Sequence, residues 1–155
     1  DYTARVWDVQ TGEQLFKLNG VSANTVIKIA ASLDGKYIAA ALSNNNILLC
    51  EAGTGTLLKT LKGHSDGISE LCFNPDSKTL LSASKDNTAL IWDVQSGNVL
   101  YTLDQSLQGK KAVISGLTKG VLALSTSPNG QYVATLGSDK RILIWESATG
   151  KLLYI

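Results

Sequence analysis

His64 is the only histidine in this chain of 155 residues, and any reading of chemistry has to begin with it. A histidine can serve as a general base or a metal ligand. Metal binding needs partners, and no second histidine exists to supply one. Cys50 and Cys72 sit apart in apolar runs. They read as buried thiols rather than a ligand pair or a disulfide, which favours a reducing compartment. Asp1, Asp86 and Asp139 could supply carboxylates for acid–base work. Ser82 could supply a hydroxyl, but no Gly-x-Ser-x-Gly elbow surrounds it. Gly53-Thr54-Gly55 lacks the remainder of a phosphate-cradling fingerprint. The densest basic spot, Lys110-Lys111 with Lys119 nearby, is too small to track a phosphate backbone, and the formal charge is only +1. These residues therefore predict no catalytic group, no metal, no cofactor, no direct nucleic-acid contact and no membrane contact.

The elements that position these residues are legible as an internal repeat. Residues 33–55, 75–97 and 128–150 align without gaps, and residues 1–12 carry the back half of a fourth copy. At one shared slot the copies carry Trp7, Cys50, Trp92 and Trp145, at successive steps of 43, 42 and 53 residues. The last step is longer by 11, which places an insertion at 104–120. Each copy opens on a tight-turn cluster (Asp34-Gly35, Pro75-Asp76, Pro128-Asn129-Gly130) and turns again at a glycine after the aromatic slot. Between the turns lie short apolar runs, which read as strands. No sustained helical period is present. In the third copy the strands are expected at 68–73, 79–84, 89–93 and 99–103. Four antiparallel strands, a to d in chain order, repeated about every 42 residues are the signature of a propeller blade. The fold class expected is all-β, a propeller segment of four-stranded antiparallel blades. Its units are a half blade at 1–18, then blades at 19–61, 62–103 and 104–155.

The third copy resembles the WD-repeat family. It carries Gly63-His64, Ser82, Asp86 and Trp92-Asp93 at the family's offsets. In that family the His, Ser or Thr, Asp and Trp side chains form a buried hydrogen-bond chain within each blade. The resemblance thus assigns His64, Ser82, Asp86 and Trp92 to a structural tetrad. Thr135, Asp139 and Trp145 form a partial one, as do Asp1 and Trp7. The same slots explain the three aspartates as turn residues better than as an acid–base pair. The fourth copy has Gly116-Leu117 in place of Gly-His, and the second has Ala40, Asn44 and Cys50 for Ser, Asp and Trp.

The resemblance also implies a function, that of a non-catalytic scaffold binding other proteins or peptides. Loops between strands b and c, and between successive blades, then share one face. They offer Asp66, Lys85, Asn87, Ser138 and Lys140 as contacts, together with Ser43, Asn45 and Ser65; Asp66 and Lys85 are favoured. The insertion is either a binding loop or an extra segment packed on its blade. A propeller-based enzyme and a nucleic-acid-associated adaptor are the alternatives. A composition of 44% hydrophobic and 17% charged residues suits a packed domain rather than a disordered chain. No apolar run is long enough for a helical membrane span, and an intracellular, cytoplasmic setting is expected. A closed propeller has about 4–8 blades. Three and a half blades therefore read as an excerpt of a longer ring, with assembly of several copies as the alternative.

Overall fold

Short apolar runs bounded by turn residues can satisfy their backbone groups only by pairing with one another. The computed structural model describes residues 4–18, 24–104 and 120–155, which hold 14 strands and no helix. A two-stranded sheet comes first, β1 (Arg5–Trp7) with β2 (Gln14–Lys17). The second blade is β3 (Val26–Ala31), β4 (Tyr37–Leu42), β5 (Ile47–Glu51) and β6 (Leu57–Leu61). The third is β7 (Ile68–Phe73), β8 (Thr79–Ser84), β9 (Thr88–Asp93) and β10 (Val99–Asp104). The fourth is β11 (Val121–Thr126), β12 (Tyr132–Gly137), β13 (Ile142–Glu146) and β14 (Leu152–Tyr154). Third-blade strands begin and end within one residue of the expected limits. Asp1 and residues 105–119 of the insertion, including Lys110, Lys111, Gly116, Leu117 and Lys119, lie outside the described residues.

Within each four-stranded sheet every strand pairs antiparallel with the next in sequence. The register repeats as well. Cys50, Trp92 and Trp145 face Ile38, Leu80 and Val133 across the b–c pair. Each a–b pair also shifts register after its first residue, at Val26/Lys28, Ile68/Glu70 and Val121/Ala123. Such irregularities sharpen the strand twist.

Side chains alternate between the two faces of a sheet, and each face meets a different neighbour. Leu80 and Trp92 pack toward the second blade with Ala39, Ala41 and Leu49. Leu81 and Ile91 pack the opposite way, with Val133, Leu143 and Trp145 of the fourth. Ala40, Leu48 and Cys50 face Ala4, Leu18 and Phe16 of the half blade. The aromatic slot thus points to the preceding blade. Among the described residues Trp7 has no preceding blade, and it is 53% exposed. Cys50 is buried as expected; Cys72 is only half-buried.

Polar ties cross between blades. Lys28 pairs with Glu70 at 3.3 Å, Asp34 N–H donates to Ser77 Oγ at 3.2 Å and Asn74 Nδ2 donates to the Gly130 carbonyl at 3.3 Å. Ser69 Oγ–H also donates to the Val121 carbonyl.

Candidate functional site

The third blade brings His64, Ser82, Asp86 and Trp92 into one connected chain. Ser82 sits in the middle of β8, beside Leu71 and Leu90 on the flanking strands. Trp92, two residues farther along β9 than Leu90, donates its Nε1–H to Ser82 Oγ at 2.8 Å. His64, in the connection before β7, has Nε2 at 2.7 Å from Ser82 Oγ and Nδ1 at 2.9 Å from Asp86 Oδ2. A carboxylate can only accept, so Nδ1 carries the proton toward Asp86. Nε2 then accepts from the Ser82 hydroxyl, and that hydroxyl accepts from the indole. Every polar hydrogen has one acceptor and the chain runs in a single direction.

Asp86 anchors the b–c turn at the same time. Oδ2 also accepts from Ser65 N–H at 3.0 Å; Oδ1 accepts from the N–H and hydroxyl of Thr88, at 2.9 and 2.7 Å. Burial pushes its carboxyl up. The hydrogen bonds from Thr88, His64 and Ser65 outweigh that and hold it below its ordinary value of 3.8. Gly63 is required by space. A Cβ there would lie 2.7 Å from Trp92 Cη2 and 3.0 Å from Leu90 Cδ1.

A Ser–His–Asp sequence of contacts invites comparison with a nucleophilic triad. Such a serine needs an open approach and donors for a developing oxyanion. The His64 side chain is 0% exposed, Ser82 is wholly buried, and the Ser82 oxygen already holds the indole N–H. Nothing can reach the nucleophile. The two thiols are poor nucleophiles too: burial raises Cys50, and burial with the nearby Glu70 charge pushes Cys72 up to about 12. Among the described residues no group of three or more His, Cys, Asp or Glu side chains could hold a metal ion.

The fourth blade solves the same problem differently. Trp145 Nε1–H donates to Thr135 Oγ1 at 2.9 Å. Asp139 Oδ1 accepts from Arg141 N–H at 3.1 Å, and its other oxygen pairs with the Arg141 guanidinium. Arg141 thereby partners the turn aspartate on the side where His64 serves Asp86. Burial raises the Asp139 carboxyl, but the Arg141 backbone, side chain and charge together hold it below the ordinary range. The sequence offered a signal, an Arg two residues after the Asp, that slot matching did not use. In the second blade Asn44 Oδ1 still accepts from Asn46 N–H at 3.2 Å, so the turn survives where the rest of the chain is apolar.

The b–c turns and the connections between blades gather at one rim. Lys85 N–H donates to the Gly67 carbonyl at 3.0 Å and Ser138 N–H to the Gly120 carbonyl at 3.1 Å. Gly120 N–H in turn donates to Asn87 Oδ1 at 2.6 Å. Asp66, Lys85 and Lys140 are exposed on this rim; Ser138 and Asn87 are half-buried. The Asn87 carbonyl serves the joint between blades. The a–b and c–d turns meet at the opposite rim, through Val94 N–H to Lys78 carbonyl and Ser147 N–H to Gln131 carbonyl bonds.

The sequence model of the WD domain, G-beta repeat, matches residues 55–93 and 108–146. The U3 small nucleolar RNA-interacting protein 2 of Mus musculus is 33% identical over 104 residues, which is 67% of this chain and 22% of that protein. The WD repeat-containing protein 18 of Danio rerio is 31% identical over 151 residues, 96% of this chain and 34% of that protein. The autophagy-related protein 16 of Arabidopsis thaliana is 28% identical over 99% of this chain, which spans 28% of it. The chain thus spans between about a fifth and a third of the length of these relatives. Repeating register, buried Trp–Ser and Trp–Thr pairs and sequence match agree: this chain belongs to the WD-repeat family.

Proposed function

We propose that this chain is a non-catalytic scaffold that binds partner proteins or peptides at the rim carrying Asp66, Lys85 and Lys140. Its working units are the half blade at 1–18 and the blades at 19–61, 62–103 and 104–155. The observation that carries the reading is the division of labour among polar groups. Among the described residues, the one constellation with the residue types of a catalyst is sealed inside the third blade, where it holds two strands and a turn together. On the rim, Asp66, Lys85 and Lys140 stay exposed on turns whose backbones are fixed by hydrogen bonds. Rigid turns presenting charged tips lose little freedom on binding, which favours recognition.

The test is a comparison of partner recovery by the unaltered chain and by an Asp66→Lys, Lys85→Glu, Lys140→Glu variant. Partners lost from the variant while its tryptophan fluorescence stays native would support the reading. Identical recovery from both would overturn it. Binding to RNA that weakens steeply with salt, and persists in the variant, would favour the adaptor alternative instead.

A further inference from the structure

Between the third and fourth blades, at the rim opposite the one just discussed, lies a cleft of about 470 Å³. Four observations converge on it. First, two buried side-chain atoms without a hydrogen-bond partner, Asn74 Oδ1 and Thr79 Oγ1, belong to residues of its wall. Asn74 is only 4% exposed, and its orientation is set, because Nδ2 must face the Gly130 carbonyl. An orphaned buried acceptor costs about 1–3 kcal/mol, so such atoms call for an explanation. Second, the wall departs from its sister blades. Where the third blade has Asn74 and Thr79, the second has Ser32 and Tyr37 and the fourth Ser127 and Tyr132. There each serine closes its own turn, accepting from the tyrosine N–H at 2.9 and 3.0 Å and donating to Asp34 or Asn129. The third blade has given up that closure. A small threonine replaces the bulky ring. Third, the cleft is lined by the carboxylates of Asp76 and Glu146 and by no basic residue. The corresponding cleft between the second and third blades contains Lys36 and Lys78 beside its aspartates. Fourth, Tyr101 and Tyr132 contribute aromatic rings to the same wall.

An unpartnered amide oxygen, a threonine hydroxyl able to accept, two carboxylates and two aromatic rings define a complement. It is cationic, rich in N–H groups and flat. We propose that this cleft receives the guanidinium of an arginine side chain on a partner polypeptide. Five N–H donors in a planar fork can serve a carboxylate and a neutral acceptor together, and the flat face can lie on a tyrosine ring. An ammonium offers neither the fork nor the face. Since both orphaned atoms are covered, entry requires a side-chain rotation at the floor, Thr79 about its Cα–Cβ bond being the simplest. The proposal rests on the scaffold reading only for the polypeptide that carries the arginine. The cleft's chemistry stands apart from it.

The experiment is an NMR titration of the 155-residue chain with N-acetyl-arginine methylamide, its lysine counterpart and its citrulline counterpart. Arginine should shift the Asn74 side-chain amide and the Thr79, Gly130 and Glu146 backbone amides. Citrulline, of the same shape without the charge, should bind at least about tenfold more weakly, the effect of one charge-assisted hydrogen bond. Asn74→Ser with Thr79→Tyr restores the sister-blade pattern and should abolish the shifts. Asp76→Asn with Glu146→Gln keeps the shape and should weaken arginine to the citrulline level. Several outcomes would overturn the proposal: no arginine shifts in this cleft, equal binding of citrulline or lysine, or undiminished binding by the charge-neutral variant. So would a long-lived water at Thr79 that arginine does not displace, since the orphaned atoms would then serve that water. A failure here leaves the Asp66, Lys85 and Lys140 test untouched, so the two readings fail separately.

Discussion

At the scale of single residues, Ser82 shows how much a buried hydroxyl can be made to hold. It accepts from Trp92 and donates to His64 with no exposure of its own. Ser82→Ala would leave two buried polar groups unmatched. Each such group costs about 1–3 kcal/mol. Urea unfolding of Ser82→Ala should therefore show one of the larger losses of any small substitution in the third blade. The second blade carries Ala40 and Cys50 at these slots and, among the described residues, orphans no buried side-chain polar atom, because both partners are apolar together. Asp86→Asn separates the turn from the chain. Asn44 already shows that an amide oxygen can hold the turn N–H, but an amide cannot accept from His64 and Ser65 with its second atom. Because the folded-state value of Asp86 lies below 3.8, its contribution is present above that value and lost as pH falls through the folded one. The stability gap between the unaltered chain and Asp86→Asn should be widest at neutral pH and shrink below pH 3.8. A gap that stays constant into acid would refute the charge-based account.

Among the elements, the turns record where backbone strain is carried. Asn45, Asn87 and Lys140 hold corresponding positions of three b–c turns with φ of 68°, 73° and 66°. Asparagine tolerates this left-handed region; a lysine gains nothing from it. Lys140→Gly should raise stability by about 0.5–1 kcal/mol, the steric relief exceeding the added freedom of the unfolded chain. Ser77, with φ 58°, stands where the sister turns have Gly35 and Gly130. Its hydroxyl accepts from Asp34 across the blade boundary. Ser77→Gly should thus come out within about 0.5 kcal/mol of neutral, because a lost hydrogen bond offsets the relief. Denaturant midpoints at unchanged slope would check both. These cases also mark what the sequence could and could not disclose. Strand limits and the aromatic slot follow from spacing, because a fixed register places fixed offsets side by side, whereas the His64–Ser82–Asp86–Trp92 grouping is what the resemblance to the WD-repeat family implies. Arg141 as partner of Asp139 depends on where a long side chain reaches. The bonds from Asp34 to Ser77 and from Asn74 to Gly130 depend on how one blade meets the next. Those bonds between blades are not written in a repeat read one copy at a time.

For the whole molecule, stability is a matter of stacking between neighbours. Repeat arrays behave as units coupled to their nearest partners. The third blade is covered on both faces by described residues, the second on one face and, on the other, only where the half blade lies, so that Ile29 of β3 is 59% exposed; β4, β5, β8 and β9 are almost wholly buried. The fourth blade has one covered face, and Ile142 on the other is 56% exposed. The half blade has little beyond Phe16 and Leu18 to hold it. Amide hydrogen exchange should rank the sheets accordingly, slowest in the second and third blades, faster in the fourth, fastest in β1 and β2. Two adjacent residues sharpen this into a test of the stacking itself. Leu80 and Leu81 are both fully buried on β8, yet the first faces the second blade and the second faces the fourth. Replacing either by alanine removes the same volume and should cost about 2–5 kcal/mol. The consequences should part company across the sheet. Leu80→Ala should speed exchange in β4 and β5 while leaving β12 and β13 nearly as before, and Leu81→Ala should do the reverse. If the two variants loosened all the sheets alike, the blades would be one cooperative block, and the pairwise account would have to be abandoned.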